Sequence, residues 1–308
     1  MLTTITAILG IIKDLFKGFS FVKKWLDKRK IKGEVVSEGD DVLEVAHRFV
    51  QIYKAHGIER TQIPRLLGQE AGLNLADVSK DENLIRVLDE NIINKTCEVF
   101  GVRWEWLDGK DIQIYPCLWF DQDMEGFINF IVELKQKHRE VKGYVIKCPK
   151  DKLKKKEIDY PIAMVFRGKI DHWGDFSEES IWRYYPLSDQ YYFWGYERTR
   201  LQLKAMVLIA WQFGIHVGGC QLPQKDIEDL VAGTVFPGPL LGHLSYVAWH
   251  PDDYIFANGE SGKVADHAEA LMARTYLEKC GGMDKLVSLT GSLKIPYKFC
   301  DHAALVEK

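Results

Sequence analysis

The sequence predicts an α+β chain of more than one domain, and three observations carry that expectation. Residues 1–33 keep an amphipathic helical period and end in a cluster of basic residues. Residues 41–109 read as helix almost throughout, an all-α module. From Lys110 to residue 308, β-branched and aromatic runs alternate with helical ones, as in an α+β domain with a largely antiparallel sheet. A chain of 308 residues is long enough for several sizeable cores. With 46% hydrophobic and 28% charged residues, neither a disordered nor a fibrous class fits. The net charge of −3 excludes a globally basic surface for nucleic acid and leaves room for a local patch.

In the first segment, Leu2, Ile5, Leu9, Ile12, Phe16, Phe19 and Leu26 recur at helical steps on one side. Thr3, Thr6, Gly10, Lys13, Lys17, Ser20, Lys24 and Asp27 take the other. Between Lys13 and Lys32, eight Lys/Arg face two Asp, a local charge of +6. A secretory signal carries its charges before the apolar run, whereas here they follow it and no small-residue cleavage site comes after. The uncharged run Leu2–Ile12 is 11 residues, too short to span a bilayer as one helix. Two roles fit. The helix lies on an anionic membrane surface, with Phe16, Phe19 and Trp25 inserted and Lys13, Lys17 and Lys24 on lipid phosphates. Alternatively, the same residues pack against the body of the protein or a second subunit. The expected location is cytoplasmic, peripheral at the inner membrane face in the first case. Residues 33–40, GEVVSEGD, read as a polar linker.

Within 41–109, Val42, Val45, Phe49, Ile52 and Tyr53 share a helix face, and Gly57 ends that helix. The stretch RTQIPRLLG is a short second helix, with Thr61 as N-cap and Pro64 in the first turn. Two more helical segments follow between Leu73 and Gly101, and VRWEWLDG closes the unit. Val99, Val102, Trp104, Trp106 and Leu107 are expected in its core.

These residues resemble the phage-repressor (Cro/XRE-type) helix-turn-helix family. The resemblance rests on GIERTQIPRLLG, on Leu88 and Ile92, and on CEVFGVRWEWLDG, and it covers residues 43–109 only. In that family a final helix ends in a Gly-Val turn before a short helix with a Trp-Leu pair, matched here by Gly101, Val102, Trp106, Leu107 and Gly109. The resemblance implies DNA binding by the helix after RLLG. That helix would span Asn74–Asn83, with Asn74, Lys80 and Asn83 toward the groove and Thr61, Gln62 and Arg65 toward phosphates. The sequence departs from this role in charge. NLADVSKDEN holds Asp77, Asp81 and Glu82 against a single lysine. Over residues 41–109, eight Lys/Arg stand against twelve Asp/Glu, a net of −4. Phosphate neutralisation supplies most non-specific DNA affinity, and acids here forfeit it.

Beyond Lys110, DIQIYPCLWF, KGYVIKCP, YPIAMVFRGKI and, less clearly, IHVGGCQL read as strands. DMEGFINFIVELKQKHREV, YERTRLQLKAMVLIAWQFG, PQKDIEDLVAG and VADHAEALMARTYLEKCGG read as helices. KDKLKKKEID reads as a hairpin loop and FPGPLLG as a turn-rich connector. The outline is similar to small sensory domains of the PAS type. The compositional anomaly is residues 172–196, with ten of the chain's 37 aromatic residues. They form packed core beneath a loop, a protein-partner surface, or a ligand pocket lined by Trp182, Tyr184, Trp194 and Tyr196, with Arg198 and Arg200 toward an anionic ligand.

Catalytic patterns are incomplete. ANGESGKV has the lysine of a phosphate-binding loop, but Ala257 and Val264 stand where glycine and Ser/Thr are needed. His250–Asp253 and Asp266–His267 lack a metal-binding frame, and the six cysteines match no zinc spacing. Cys220 with His216 is a conceivable nucleophile pair. The expectation is therefore a protein without enzymatic activity, cofactor or metal. It is a regulator coupling a helix-turn-helix module, possible on DNA, to a ligand- or partner-sensing domain. The other expectation is a membrane-associated interaction or effector protein, a layout suited to phage defence, whose helical module docks proteins. A homo-oligomer or a partner protein fits either.

Overall fold

The computed structural model describes residues 38–68, 71–116, 118–149, 161–170, 180–188, 193–242, 249, 251 and 267–291. Residues 1–33, with Lys13, Phe16, Lys17, Phe19, Lys24 and Trp25, lie outside them, as do the lysine-rich loop and the segments holding Ala257–Val264 and His250.

Helix α1 (Glu38–Ala55) ends before Gly57, whose φ of +78° is the expected stop. A 3-10 turn (Arg60–Gln62) leads into α2 (Ile63–Leu67), with Pro64 in its first turn. Thr61 is not the cap. It sits exposed inside the 3-10 turn, and the Gln62 side chain instead accepts the Glu59 N–H at 2.7 Å. Then come α3 (Asp81–Leu84), α4 (Glu90–Phe100) and α5 (Trp104–Leu107). Asp89 caps α4 by accepting the Ile92 N–H, and Gly101 closes it in the left-handed region at φ +72°. A side chain at Gly101 would also strike the Arg183 guanidinium, 2.9 Å from the Cβ position. Phe49, Ile52, Tyr53, Ile63, Leu67, Leu84, Phe100 and Leu107 are fully buried, so the module's apolar period is its core.

The rest is built on a four-stranded sheet in the order β3-β2-β1-β4. Helix α6 (Met124–Lys137) precedes β1 (Val141–Lys147), β2 (Ile162–Lys169) and β3 (Trp182–Pro186), an antiparallel meander. Helix α7 (Glu197–Gln212) then crosses over to β4 (His216–Gln221), which pairs parallel to β1 with Val145 opposite Gly219. The sheet is therefore mixed, with antiparallel pairs predominating. Phe127 and Phe130 of α6 stack on Phe166 at 5.9 Å each, and Phe130 meets Tyr185 on the same face. Next to this, α8 (Gln224–Val231) packs against β1 and β2, and α9 (Pro237–Gly242) against β3. The hairpin α10 (His267–Lys279) and α11 (Gly282–Thr290) packs on α7 and α6.

Three expectations are corrected. Residues 111–120 are not a strand, because the Ile114 and Tyr115 N–H groups both turn to the Gly233 carbonyl, at 2.7 and 3.2 Å, and Pro116 has none to give. FPGPLLG contains a helix. Trp182–Pro186, inside the aromatic stretch, is a strand.

The described residues from Leu43 onward pack as one compact unit, and the junction at 109/110 is filled with contacts. Arg183 of β3 donates to the Glu98 carbonyl of α4, and the Arg103 N–H to the Ile114 carbonyl at 2.8 Å. Trp106 and Tyr115 both meet Phe236 edge-on, at 5.4 and 6.1 Å. His56, at the end of α1, lies in the middle. Its Nδ1–H donates to the Ile52 carbonyl at 2.6 Å, and its ring is 4.2 Å from Phe100 and 5.6 Å from Tyr184. Burial, with the Arg183 charge acting in the same direction, pushes His56 down to about 4.

The unfolded chain thus takes up a proton near pH 6.5 that the folded chain refuses until about pH 4. Stability from this site is complete above pH 6.5 and lost as pH falls through that window, by roughly 3 kcal/mol in all. Denaturant titrations between pH 7 and 4 are expected to show this slope reduced in His56→Gln. An equal slope in both proteins would rule out His56 as its source.

Candidate functional site

The residues expected at the DNA groove do not form a helix. Asn74–Lys80 is a pair of turns, and only Asp81–Leu84 makes one helical turn. The cause is local competition. The Asn74 side-chain oxygen accepts the Ala76 and Asp77 N–H groups at 2.8 and 3.3 Å, and the Asp77 carboxylate accepts the Asn74 N–H at 2.9 Å. Asn83 donates to the Ala76 carbonyl at 3.2 Å and to Ser79 Oγ at 3.0 Å. The two asparagines expected to read bases are therefore engaged in holding this turn. Asp81 forms an ion pair with Arg60 at 2.7 Å, and Arg60 also donates to the Val78 carbonyl. Lys80, Thr61 and Arg65 are exposed and Gln62 is half-buried. Leu75, at the tip of the turn, is 64% exposed.

The six residues expected to line a pocket occupy three separate places. Trp182 and Tyr184 alternate with Arg183 and Tyr185 along β3. Tyr184 is buried toward His56, while Trp182 is half-buried beside Arg167. Tyr196 and Arg198 lie at the surface, where Arg198 forms a two-pronged ion pair with Asp121. Trp194 and Arg200 are buried at the start of α7.

That third place is a buried ionic clamp. Arg200 and Lys204 lie one turn apart on the inner side of α7, and both reach Glu269 of α10, at 2.7 and 2.6 Å. All three side chains are at most 6% exposed. Arg200 also donates to the carbonyls of Trp194 and Gly195, at 2.9 and 2.8 Å, tying the loop before α7 into the clamp. Burial alone would raise the Glu269 carboxyl, but the hydrogen bonds and charges of Lys204 and Arg200 outweigh it and hold it below the usual range. Glu269 was not among the expected residues. The signal for it was two cations four residues apart on a helix with a wide apolar face, which requires a buried carboxylate.

Two clefts flank α7. One, about 40 Å³, is walled mainly by Leu118, Phe120, Met164, Leu187, Leu203 and Met206. The other, about 10 Å³, lies between Val145, Trp194, Lys204, Val207 and Trp249. Among the described residues, no group of three or more His, Cys, Asp or Glu is placed to hold a metal ion. His216 is exposed at the start of β4 and Cys220 is buried near its end, so the two do not form a pair. Burial pushes the Cys220 thiol up to about 11, which leaves it protonated at neutral pH.

Comparison with family models, with curated proteins and with solved structures found no match.

Removing the clamp's carboxylate leaves two buried cations to compete for the remaining acceptors. Glu269→Gln is expected to lower stability at pH 7 by about 3 kcal/mol or more. Because the folded-state carboxyl is depressed, that contribution is present above the unfolded carboxylate range and disappears as pH falls through the folded value. Denaturant midpoints for the two proteins should therefore converge in acid. A constant gap down to pH 3 would contradict this account of the clamp.

Proposed function

We propose that this chain is a non-catalytic effector or regulatory protein whose helix-turn-helix-like module makes protein contacts and does not read DNA. The carrying observation is the segment Asn74–Asn83. A DNA reader presents a helix with free polar side chains and a positive field. Here the segment is a turn stabilised by its own asparagines, with acids around it and a leucine at its tip. The opposite side of the module supports the same reading, since the ends of α4 and α5 pack on β3 and Phe236. The basic segment 1–33 gives this effector its attachment to an anionic bilayer. In this reading the attachment is peripheral, since the uncharged run Leu2–Ile12 is 11 residues, too short to span a bilayer as one helix.

Two measurements test the two halves of the proposal. Fluorescence anisotropy with mixed-sequence duplex DNA is expected to show negligible binding by the intact chain even at about 50 mM salt, where phosphate contacts are strong. Binding with a steep negative salt slope would restore the DNA reading. Phosphatidylserine vesicles are expected to pellet the intact chain but not a variant with Lys13, Lys17 and Lys24 changed to Gln. Equal pelleting of both, or of neither, removes the membrane attachment.

A further inference from the structure

One row of side chains crosses the whole sheet. Lys142 of β1 stands directly opposite Arg167 of β2 and His216 of β4, and Arg167 stands opposite Tyr184 of β3. Cross-strand neighbours share a face, so two cations and a histidine lie side by side on adjacent strands. Lys169 is two residues beyond Arg167 on that same face. Like charges in such positions repel, and among the described residues Glu140 acts on Lys142, Lys169 and Arg167. Glu140 meets Lys142 at 2.7 Å. Its carboxyl is held below the usual range first by that hydrogen bond and then by the charges of Lys169 and Arg167.

Arg167 is the fixed point of the row. Its guanidinium lies 4.2 Å from the Trp182 ring centroid and 5.0 Å from that of Tyr144, and the Tyr184 hydroxyl accepts a hydrogen bond from it. Its Nε is buried without a hydrogen-bond partner. Lys142 Nζ stands 5.2 Å from the same Trp182 ring. Rings on two sides hold the arginine in one orientation, which lowers the entropy cost of using it as a donor. The row opens outward. Tyr184 is buried, Arg167 half-buried, Lys142 40% exposed and His216 exposed. Above it, at Gly218 of β4, an added Cβ would come no closer than 3.8 Å to any described neighbour, the nearest being His216 Nε2. A merely solvated patch does not require an arginine clamped between rings.

We infer that Arg167, Lys142 and His216, beside Gly218, form a binding site for a phosphate group at the exposed border of this face of the sheet. The guanidinium fork and the ammonium supply the donors for a phosphate's oxygens, and Trp182 is the planar surface nearest to anything the phosphate carries. The site is separate from the clefts beside α7, and of the residues expected to line a pocket it takes in Trp182 and Tyr184 but not Trp194, Tyr196, Arg198 or Arg200. It goes beyond the reading of the helical module and stands or falls independently of it.

Calorimetric titration of the full chain with inorganic phosphate, and separately with adenosine monophosphate, tests the site, with chloride at matched ionic strength as control. Saturable binding is expected in at least one arm. Arg167→Gln should weaken it tenfold or more, and Lys142→Gln and His216→Ala several-fold. Equal affinities in the two arms assign recognition to the phosphate alone, and tighter binding of the nucleotide adds a contact to the planar ring. Lys142 and His216 are partly or fully exposed, so their variants report even if Arg167→Gln does not fold. No binding in either arm, or unchanged affinity in folded Lys142→Gln and His216→Ala, overturns the assignment.

Discussion

Strand β3 ends the sheet, and an uncovered edge strand is a template for pairing with another chain. The helical module covers it. Arg183 reaches from β3 to the Glu98 carbonyl, and Gly101 lets α4 approach the guanidinium. On the other face of the same strand, Tyr184 meets His56 and Phe236 lies close by. Much of the rest follows from this docking. The Gly-Val turn that most resembles a repressor is the part that faces the sheet, so the module's closing helix is committed to internal packing. What remains outward includes the acidic turn around Leu75, the exposed side of α2 and the polar sides of α1 and α4.

The sheet's two faces use charge differently. On the α7 side, charge is internal and compensated. Glu269 receives both Arg200 and Lys204, and two carbonyls accept from the Arg200 Nη1. Desolvating such a group offsets much of its attraction, so the clamp's main effect is to specify how α7, α10 and the loop before α7 meet. His138 belongs to the same economy of satisfied groups, donating to the Lys169 carbonyl at 2.9 Å and accepting from Tyr185 at 2.7 Å. On the other face, Arg167 is held by rings and by a phenol, and its charge remains available.

Sequence periodicity located the long elements because burial and period agree there. α1, α4, α6, α7 and α10 lie where apolar residues recur at helical steps, and β1 and β2 where β-branched residues cluster. It failed where a local pattern was overruled by a distant partner or by a competing side chain. Residues 111–120 look like a strand, but Gly233 captures their N–H groups. β3 was hidden because its aromatics alternate with Arg183 rather than with apolar residues. α9 was hidden by its two prolines and its glycines, of which Gly238 is required where the helix crosses the Ala55 carbonyl. The candidate sites were legible in composition only. Arginines and aromatics stand out in the composition of residues 172–200, yet which side chains group together depends on strand register. Arg167, Lys142 and His216 are far apart in sequence and become neighbours only once β1, β2 and β4 are aligned.

The parallel pairing of β1 with β4 has a kinetic consequence. The meander β1-β2-β3 closes through short-range contacts. β4 cannot join until β2, β3 and α7 have been made and folded back over the sheet, since a parallel strand requires a crossover. Loop closure over that length is costly before its contacts repay it, which places β4 docking late on the folding route. Until then β1 is itself an open edge, flanked by apolar strands. The nascent chain would be most exposed to intermolecular pairing in that interval, after the meander forms and before His216–Gln221 seals it.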